Sequence, residues 1–191
     1  MQILEIKELN IPDIKVIRFK KYNDFRGYFS ETFNINDIKE KCSFLEDFSF
    51  VQTNESFSFG NTFRGMHLQP NMGKLIRLIY GKMIDFCLDI RKESKFYKKI
   101  IGYDLQSTCD YSDWLWLPPG MAHGMWLKEN SIVEYFCTDT YKPNEQYNIP
   151  IFSDIIDWEL CDKNIYNKLY AIDKRTLKIK EEDLICSYDW Q

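Results

Sequence analysis

Short apolar and aromatic runs, each interrupted within a few residues by glycine, proline, asparagine or aspartate, constrain the fold of this chain more than any other feature. Ile14 to Phe19 alternate as a strand does, Asn23 to Gly27 read as a turn, and Tyr28 to Phe33 resume the alternation. Further strand-like runs cover Phe48 to Asn54, Thr62 to Gln69, Tyr97 to Leu105 and Ser131 to Thr138. Leu75 to Tyr80 and Met83 to Ile90 flank Gly81-Lys82 and predict a hairpin, hence a meander. Helical spacing is confined to Asn36 to Phe44, capped at Asn34 or Asn36, and to short pieces beyond Asp154 such as Asp162 to Lys168. With aromatics at 16%, 8 glycines and 6 prolines, the pattern predicts an all-β sandwich rather than a helical bundle. The 191 residues fit one domain, 1–191, with a core of about 12–152 and a C-terminal extension of about 153–191.

Charge and cysteine usage narrow the function classes. A net charge of -4 argues against nucleic acid as a partner, because a phosphate-binding surface needs a basic stripe. An anionic ligand must therefore meet a local basic pocket. No apolar run approaches the roughly 20 residues of a membrane span, and the first residues lack the pattern of a signal peptide, so the protein is expected in the cytoplasm and off the membrane. Cys42, Cys87, Cys109, Cys137, Cys161 and Cys186 show no CxxC spacing and read as free thiols, several of them buried. Cys137 stands two residues after Tyr135, which in a strand puts both side chains on one face.

Chemistry concentrates in Thr62-Phe63-Arg64-Gly65-Met66-His67-Leu68-Gln69 and the following Gly73-Lys74. His67 is one of only two histidines and lies between Arg64 and Lys74, cations that favour its neutral form. An imidazole titrates near pH 6.5, so a neutral one is a ready general base. Bringing Arg64 to the same face as His67 requires a bulge, for which Gly65 is the obvious place. A histidine in a half-buried strand is more often a hydrogen-bonded structural residue, and only its company changes that reading. Gln52 and Asn54 fall on one face with Phe48 and Phe50, which marks either an edge strand or a ligand-facing wall. Asp89 to Ser94 reads as a structural ion-pair corner, and Pro118-Pro119-Gly120 as a stiff turn delivering His123.

A metal centre fails on ligand counting, since His67 and His123 stand 56 positions apart with no His-x-His pair, so no metal and no cofactor is expected. A Ser-His-Asp triad lacks a GxSxG elbow. Acid–base chemistry remains: a histidine base, a lysine to stabilise a developing oxyanion, and a phenol or second histidine to return the proton.

Eight motifs in register then carry a resemblance. They are Arg26-Gly27-Tyr28-Phe29-Ser30-Glu31, Gln52-Thr53-Asn54-Glu55-Ser56, Arg64 to Gln69, Gly73 to Arg77, Asp89 to Ser94, Pro119 to Gly124, Tyr135 to Thr138 and Tyr141 to Glu145. In these the chain resembles the dTDP-4-dehydrorhamnose 3,5-epimerase family. The resemblance implies a metal-free, cupin-type jelly roll, usually a homodimer, that epimerises a nucleotide-diphosphate 4-keto-6-deoxy sugar for surface-polysaccharide synthesis. It assigns His67 as base, Asp173 as its orienting carboxylate, Lys74 as the cation at the 4-keto oxygen, Tyr135 as the acid on the opposite face and His123 as a supporting residue. Arg64, Gln52 and Asn54 match a diphosphate-binding wall, and Arg26 and Glu31 match nucleotide contacts.

Departures from the family pattern bear on specificity. The Pro70-Asn71-Met72-Gly73 loop is short, Met121 and Met125 stand where phenylalanine is usual, and Thr140 replaces a residue that is often aromatic. Two rival readings are a cupin 3,4-ketoisomerase, for which a second histidine is expected where Leu68-Gln69 stands, and a non-catalytic sugar-binding module.

Overall fold

The computed structural model describes the backbone of residues 1–176 and the side chains through Ala171. The chain opens with β1 (Ile3–Glu8) and β2 (Lys15–Lys20), then a small hairpin of β3 (Tyr22–Asp24) and β4 (Gly27–Phe29). Helix α1 (Ile35–Lys41) follows, and β5 (Gln52–Ser58), β6 (Thr62–Leu68), β7 (Lys74–Tyr80), β8 (Met83–Asp89) and β9 (Ile100–Leu105) succeed one another. After them come β10 (Tyr111–Leu117), β11 (Met121–Leu127), β12 (Ser131–Cys137), the short β13 (Tyr147–Asn148) and α2 (Lys163–Thr176). Two sheets face each other, one ordered β1-β2-β10-β7-β12-β5 and the other β13-β6-β11-β8-β9. This is the expected all-β sandwich.

Alternation explains which residue goes where. In β7 and β10, Ile76, Leu78, Leu115 and Leu117 point between the sheets, where they meet Met83, Cys87, Met121 and Met125. Their neighbours Leu75, Trp114 and Trp116 point outward and are covered by Ile38, Cys42 and Leu45 of the α1 region. On the far side, Met66, Ile84, Phe86, Leu88 and Trp126 are covered by Ile149, Ile151, Ile156 and Leu169 of the C-terminal segment. The central strands are therefore buried on both faces, which is why Met83–Asp89 is buried at every position. Each aliphatic or aromatic side chain so enclosed contributes on the order of 1.5–3 kcal/mol.

Helix α1 begins at Asn34, whose side chain accepts hydrogen bonds from the backbone N–H groups of Asn36 and Asp37. The corner after β8 is an ion-pair knot as expected: Asp89 binds Arg91 and Ser94, and Arg91 also pairs with Asp13. Cys42, Cys87, Cys137 and Cys161 are free and buried, while Cys109 is free and exposed. Cys186 lies outside the described residues.

Several expectations need correction. The predicted 75–80/83–90 hairpin does not form, because β7 pairs with β10 and β12 while β8 pairs with β11 and β9 in the other sheet. Gly81-Lys82 carries the chain across the sandwich, so the topology is not a meander. A run apolar on both faces matches either arrangement locally, and distant partners decide between them. The strand from Tyr28 ends at Phe29, the one expected from Phe48 starts at Gln52, and the one from Tyr97 starts at Ile100. β1 had no place in the sequence reading, and α2 extends eight residues beyond the predicted Lys168.

Candidate active site

Between the sheets, at the end bordered by edge strand β5, lies a cavity of about 370 Å³. Gln52 and Asn54 of β5, His67 of β6, Lys74 of β7 and Tyr135 and Cys137 of β12 line it, with Gln69, Met72, Tyr141 and Gln146 around them. Strand register produces this set. Cys137 is the cross-strand partner of both Gln52 and Lys74, so one polar row runs across three strands, and beside it Tyr135 pairs with Asn54 on one side and Ile76 on the other. The edge-strand and ligand-wall readings of Gln52 and Asn54 hold together, since β5 is an edge and both residues line the cavity.

The wall is tied in place. Gln52 donates to Asn54 Oδ1 at 3.0 Å, and Asn54 reaches Cys137 Sγ at 3.7 Å. Tyr141 N–H donates to Gln52 Oε1 at 2.8 Å, and Gln69 bridges Thr140 O and Lys142 N–H at 2.8 and 3.0 Å. These bonds fix the 139–142 segment as one rim of the cavity.

A bulge forms where it was expected. His67 pairs with His123 and Arg64 with Met125, so Gly65 and Met66 together face Gly124 alone. Gly65 sits at φ 111°, and a Cβ there would lie 2.5 Å from the His123 carbonyl oxygen. Only glycine lets β6 approach β11 this closely while turning His67 into the cavity. Arg64 ends up exposed, donating to Ser58 Oγ at 2.6 Å and to the Phe57 carbonyl. It does not line the cavity, although its charge reaches Tyr135.

Burial sets the electrostatics. It pushes the Lys74 ammonium below the ordinary lysine range, a shift that the Cys137 and Asp85 side chains oppose. Among the described residues no carboxylate forms an ion pair with Lys74, so this is a desolvated cation facing an open cavity. Burial also raises the Tyr135 phenol above its usual value, with Arg64 pulling the other way, and raises the Cys137 thiol. His67 Nδ1 lies 2.6 Å from Asn148 Oδ1, an oxygen that also accepts from Gln146 Nε2 at 3.3 Å.

His123 does not line the cavity. It is buried in the interior beside His67 in register, its Nε2 2.9 Å from Asp85 Oδ2. Arg26 and Glu31 are also not at this cavity: Arg26 pairs with Asp24 on the exposed hairpin, and Glu31 pairs with the Met1 amino group. The Asp173 side chain lies outside the described residues. Sequence reasoning passed over Asp85, Gln146 and Asn148. For Asp85 a signal existed, an acid within the apolar run Met83 to Leu88; for Asn148 none did. Among the described residues no three His, Cys, Asp or Glu side chains are grouped to hold a metal ion.

A base, a desolvated cation and a neutral phenol around one cavity can remove a proton beside a carbonyl, hold the oxyanion and return a proton. Comparison with known proteins agrees in kind. The family model described as dTDP-4-dehydrorhamnose 3,5-epimerase matches residues 8–181. An enzyme of that name from Methanothermobacter thermautotrophicus is 39% identical over 150 residues, 76% of this chain and 78% of its own length. One from Neisseria gonorrhoeae is 36% identical over 154 residues, 79% of this chain, which spans only 45% of that longer relative. The crystal structure of dTDP-6-deoxy-D-glucose-3,5-epimerase from Legionella pneumophila in complex with dTDP-4-keto-L-rhamnose superposes with a TM-score of 0.74. It is 29% identical and covers 85% of this chain and 90% of its own. On this agreement of sequence, fold and site chemistry, the chain belongs to the dTDP-4-dehydrorhamnose 3,5-epimerase family, epimerases of dTDP-linked sugars.

Proposed function

We propose that this chain inverts C3, C5 or both of a nucleotide-diphosphate 4-keto-6-deoxy sugar, a hexose or heptose linked to dTDP or GDP. The observation that carries the reading is Lys74: a desolvated cation that forms no ion pair with a carboxylate among the described residues, at a cavity that His67 and Tyr135 also line. A buried ammonium is costly unless something gains from it, and an enolate oxygen gains most.

His67 takes the proton from the carbon next to the ketone, and the C–H electron pair moves into the carbonyl to give an enolate. Lys74 stabilises the oxygen as its charge develops. Tyr135, kept protonated by burial, gives its proton to the opposite face of the same carbon, and the carbonyl re-forms with inverted configuration. Solvent then restores both side chains. Asp173 supports His67, and the buried His123–Asp85 pair steadies the interior beside Lys74. Gln52, Asn54 and Arg64 bind the diphosphate, with Arg64 swinging from Ser58 toward the cavity mouth.

A homodimer accounts for Arg26 and Glu31. The β3–β4 hairpin exposes Tyr22, Tyr28, Phe29 and a Phe25 that is 97% exposed, and outward-facing Leu4 and Ile6 lie on edge strand β1. Packed on a second copy, this apolar surface would be covered and Arg26 would reach the other copy's nucleotide. We place residues 1–191 in one domain, in the cytoplasm, supplying sugars for surface polysaccharide; no helix is long and apolar enough to cross a membrane among the described residues.

The test is incubation with dTDP-4-keto-6-deoxyglucose in deuterated water. Incorporation at C3, C5 or both is expected, and its absence with a correctly folded dimer would remove the proposal.

A further inference from the structure

The mechanism above needs His67 to present an unprotonated ring nitrogen to the sugar, which depends on where its single neutral-form proton sits. The β13–β6 ladder pairs Asn148 directly with His67, and Asn148 Oδ1 lies 2.6 Å from Nδ1. The partner atom is an oxygen rather than an NH2 group, because the same atom accepts from Gln146 Nε2 at 3.3 Å. With Asn148 Oδ1 as the acceptor, the tautomer that makes this bond has its proton on Nδ1 and the lone pair on Nε2. Gln146 itself lines the cavity, so the chain Gln146–Asn148–His67 runs from the cavity wall to the imidazole.

We propose that Asn148 is a positioning residue that locks His67 in its Nδ1–H tautomer, with Gln146 holding the Asn148 amide in the required orientation. The inference rests on the epimerase reading, in which His67 is the base. An amide does this differently from a carboxylate. It accepts the Nδ1–H bond without itself adding a negative charge beside the ring. At 2.6 Å Asn148 Oδ1 is within hydrogen-bond distance of Nδ1.

With only two histidines in the chain, ring nitrogen–proton correlation spectra of the free protein contain two imidazoles, and His67→Asn identifies which signals belong to His67. The wild type is expected to show His67 neutral with Nδ1 protonated. Asn148→Leu is expected to abolish that preference and lower the exchange rate about 10-fold or more, whereas Asn148→Asp restores the Nδ1–H tautomer. In Asn148→Asp the added charge favours the imidazolium, so the acidic limb of the pH–rate profile moves to higher pH. A wild-type spectrum with Nε2 protonated would overturn the proposal. So would a tautomer that survives Asn148→Leu but is lost in Asp173→Asn. The spectra need no turnover, so an inactive wild type with the expected tautomer would count against the epimerase reading and not against this assignment.

Discussion

Replacing Gly65 with alanine tests the idea that the β6 bulge is what turns His67 into the cavity. Two costs can be separated. The first is conformational, since φ 111° is a region that side-chain-bearing residues rarely enter, at about 1–3 kcal/mol. The second is steric: the new Cβ would sit 2.5 Å from the His123 carbonyl oxygen and 2.6 Å from Gly124 Cα. Both are backbone atoms, so relief requires β6 and β11 to separate, adding about 1–3 kcal/mol. Gly27→Ala is the internal control, because Gly27 has φ 132° but open space around its Cβ position. Gly65→Ala should therefore cost about 2–6 kcal/mol and Gly27→Ala only the first part. At about 2–4 °C per kcal/mol for a chain of this size, Gly65→Ala lowers the thermal midpoint by roughly 4–24 °C. Because His67 is two residues away, a shift of about 1 Å should also cost on the order of 100-fold in deuterium exchange at saturating substrate. Equal midpoints for the two variants, or wild-type exchange in Gly65→Ala, would refute the reasoning.

Lys74→Met should lower exchange by about 10²–10³-fold, because the oxyanion loses its cation, while leaving the urea midpoint unchanged or higher, because a buried ammonium is removed; a destabilised variant would mean that Lys74 is structural. The pH dependence follows from the same residue: the cation is the active form and burial depresses its pKa, so activity falls as pH rises through a value below 10.5. Tyr135, shifted above 10, stays protonated across that range, and Lys74→Arg should move the alkaline limb upward; an unmoved limb assigns it to another group. Asp113→Ala removes the fully buried carboxylate that Arg18 holds at 2.7 and 3.0 Å, leaving Arg18 only the exposed Glu5 at 3.7 Å as an ion-pair partner among the described residues, and should cost about 2–4 kcal/mol by urea unfolding without changing activity per folded molecule.

What could be read from the sequence was local. The Asn34 cap, the bulge at Gly65 and the shared face of Tyr135 and Cys137 each depend on a few neighbouring residues, and each appears in the fold. The set His67, Lys74 and Tyr135 was legible because each is a reactive type inside a recognisable motif. Partner choice was not legible. Leu75 to Ile90 gives no local indication that the chain changes sheets at Gly81-Lys82, since both of its strands carry apolar residues on both faces. Asn148 escaped notice because its meaning comes only from the pairing of a two-residue strand with β6, 81 positions away. Arg26 and Glu31 matched motifs, yet in the fold they pair with Asp24 and the Met1 amino group away from the cavity, and a motif does not report such local pairing.

The central claim is that His67 and Tyr135 act on opposite faces of one enolate. Its most direct test is deuterium incorporation and product configuration measured together, with dTDP-4-keto-6-deoxyglucose, for the wild type, His67→Asn and Tyr135→Phe. The wild type should incorporate deuterium and invert, His67→Asn should do neither, and each loss should be on the order of 10²–10⁴-fold. Tyr135→Phe should suppress inversion more than same-face exchange. Tyr135→Phe inverting at the wild-type rate, or His67→Asn still exchanging protons, would contradict the account.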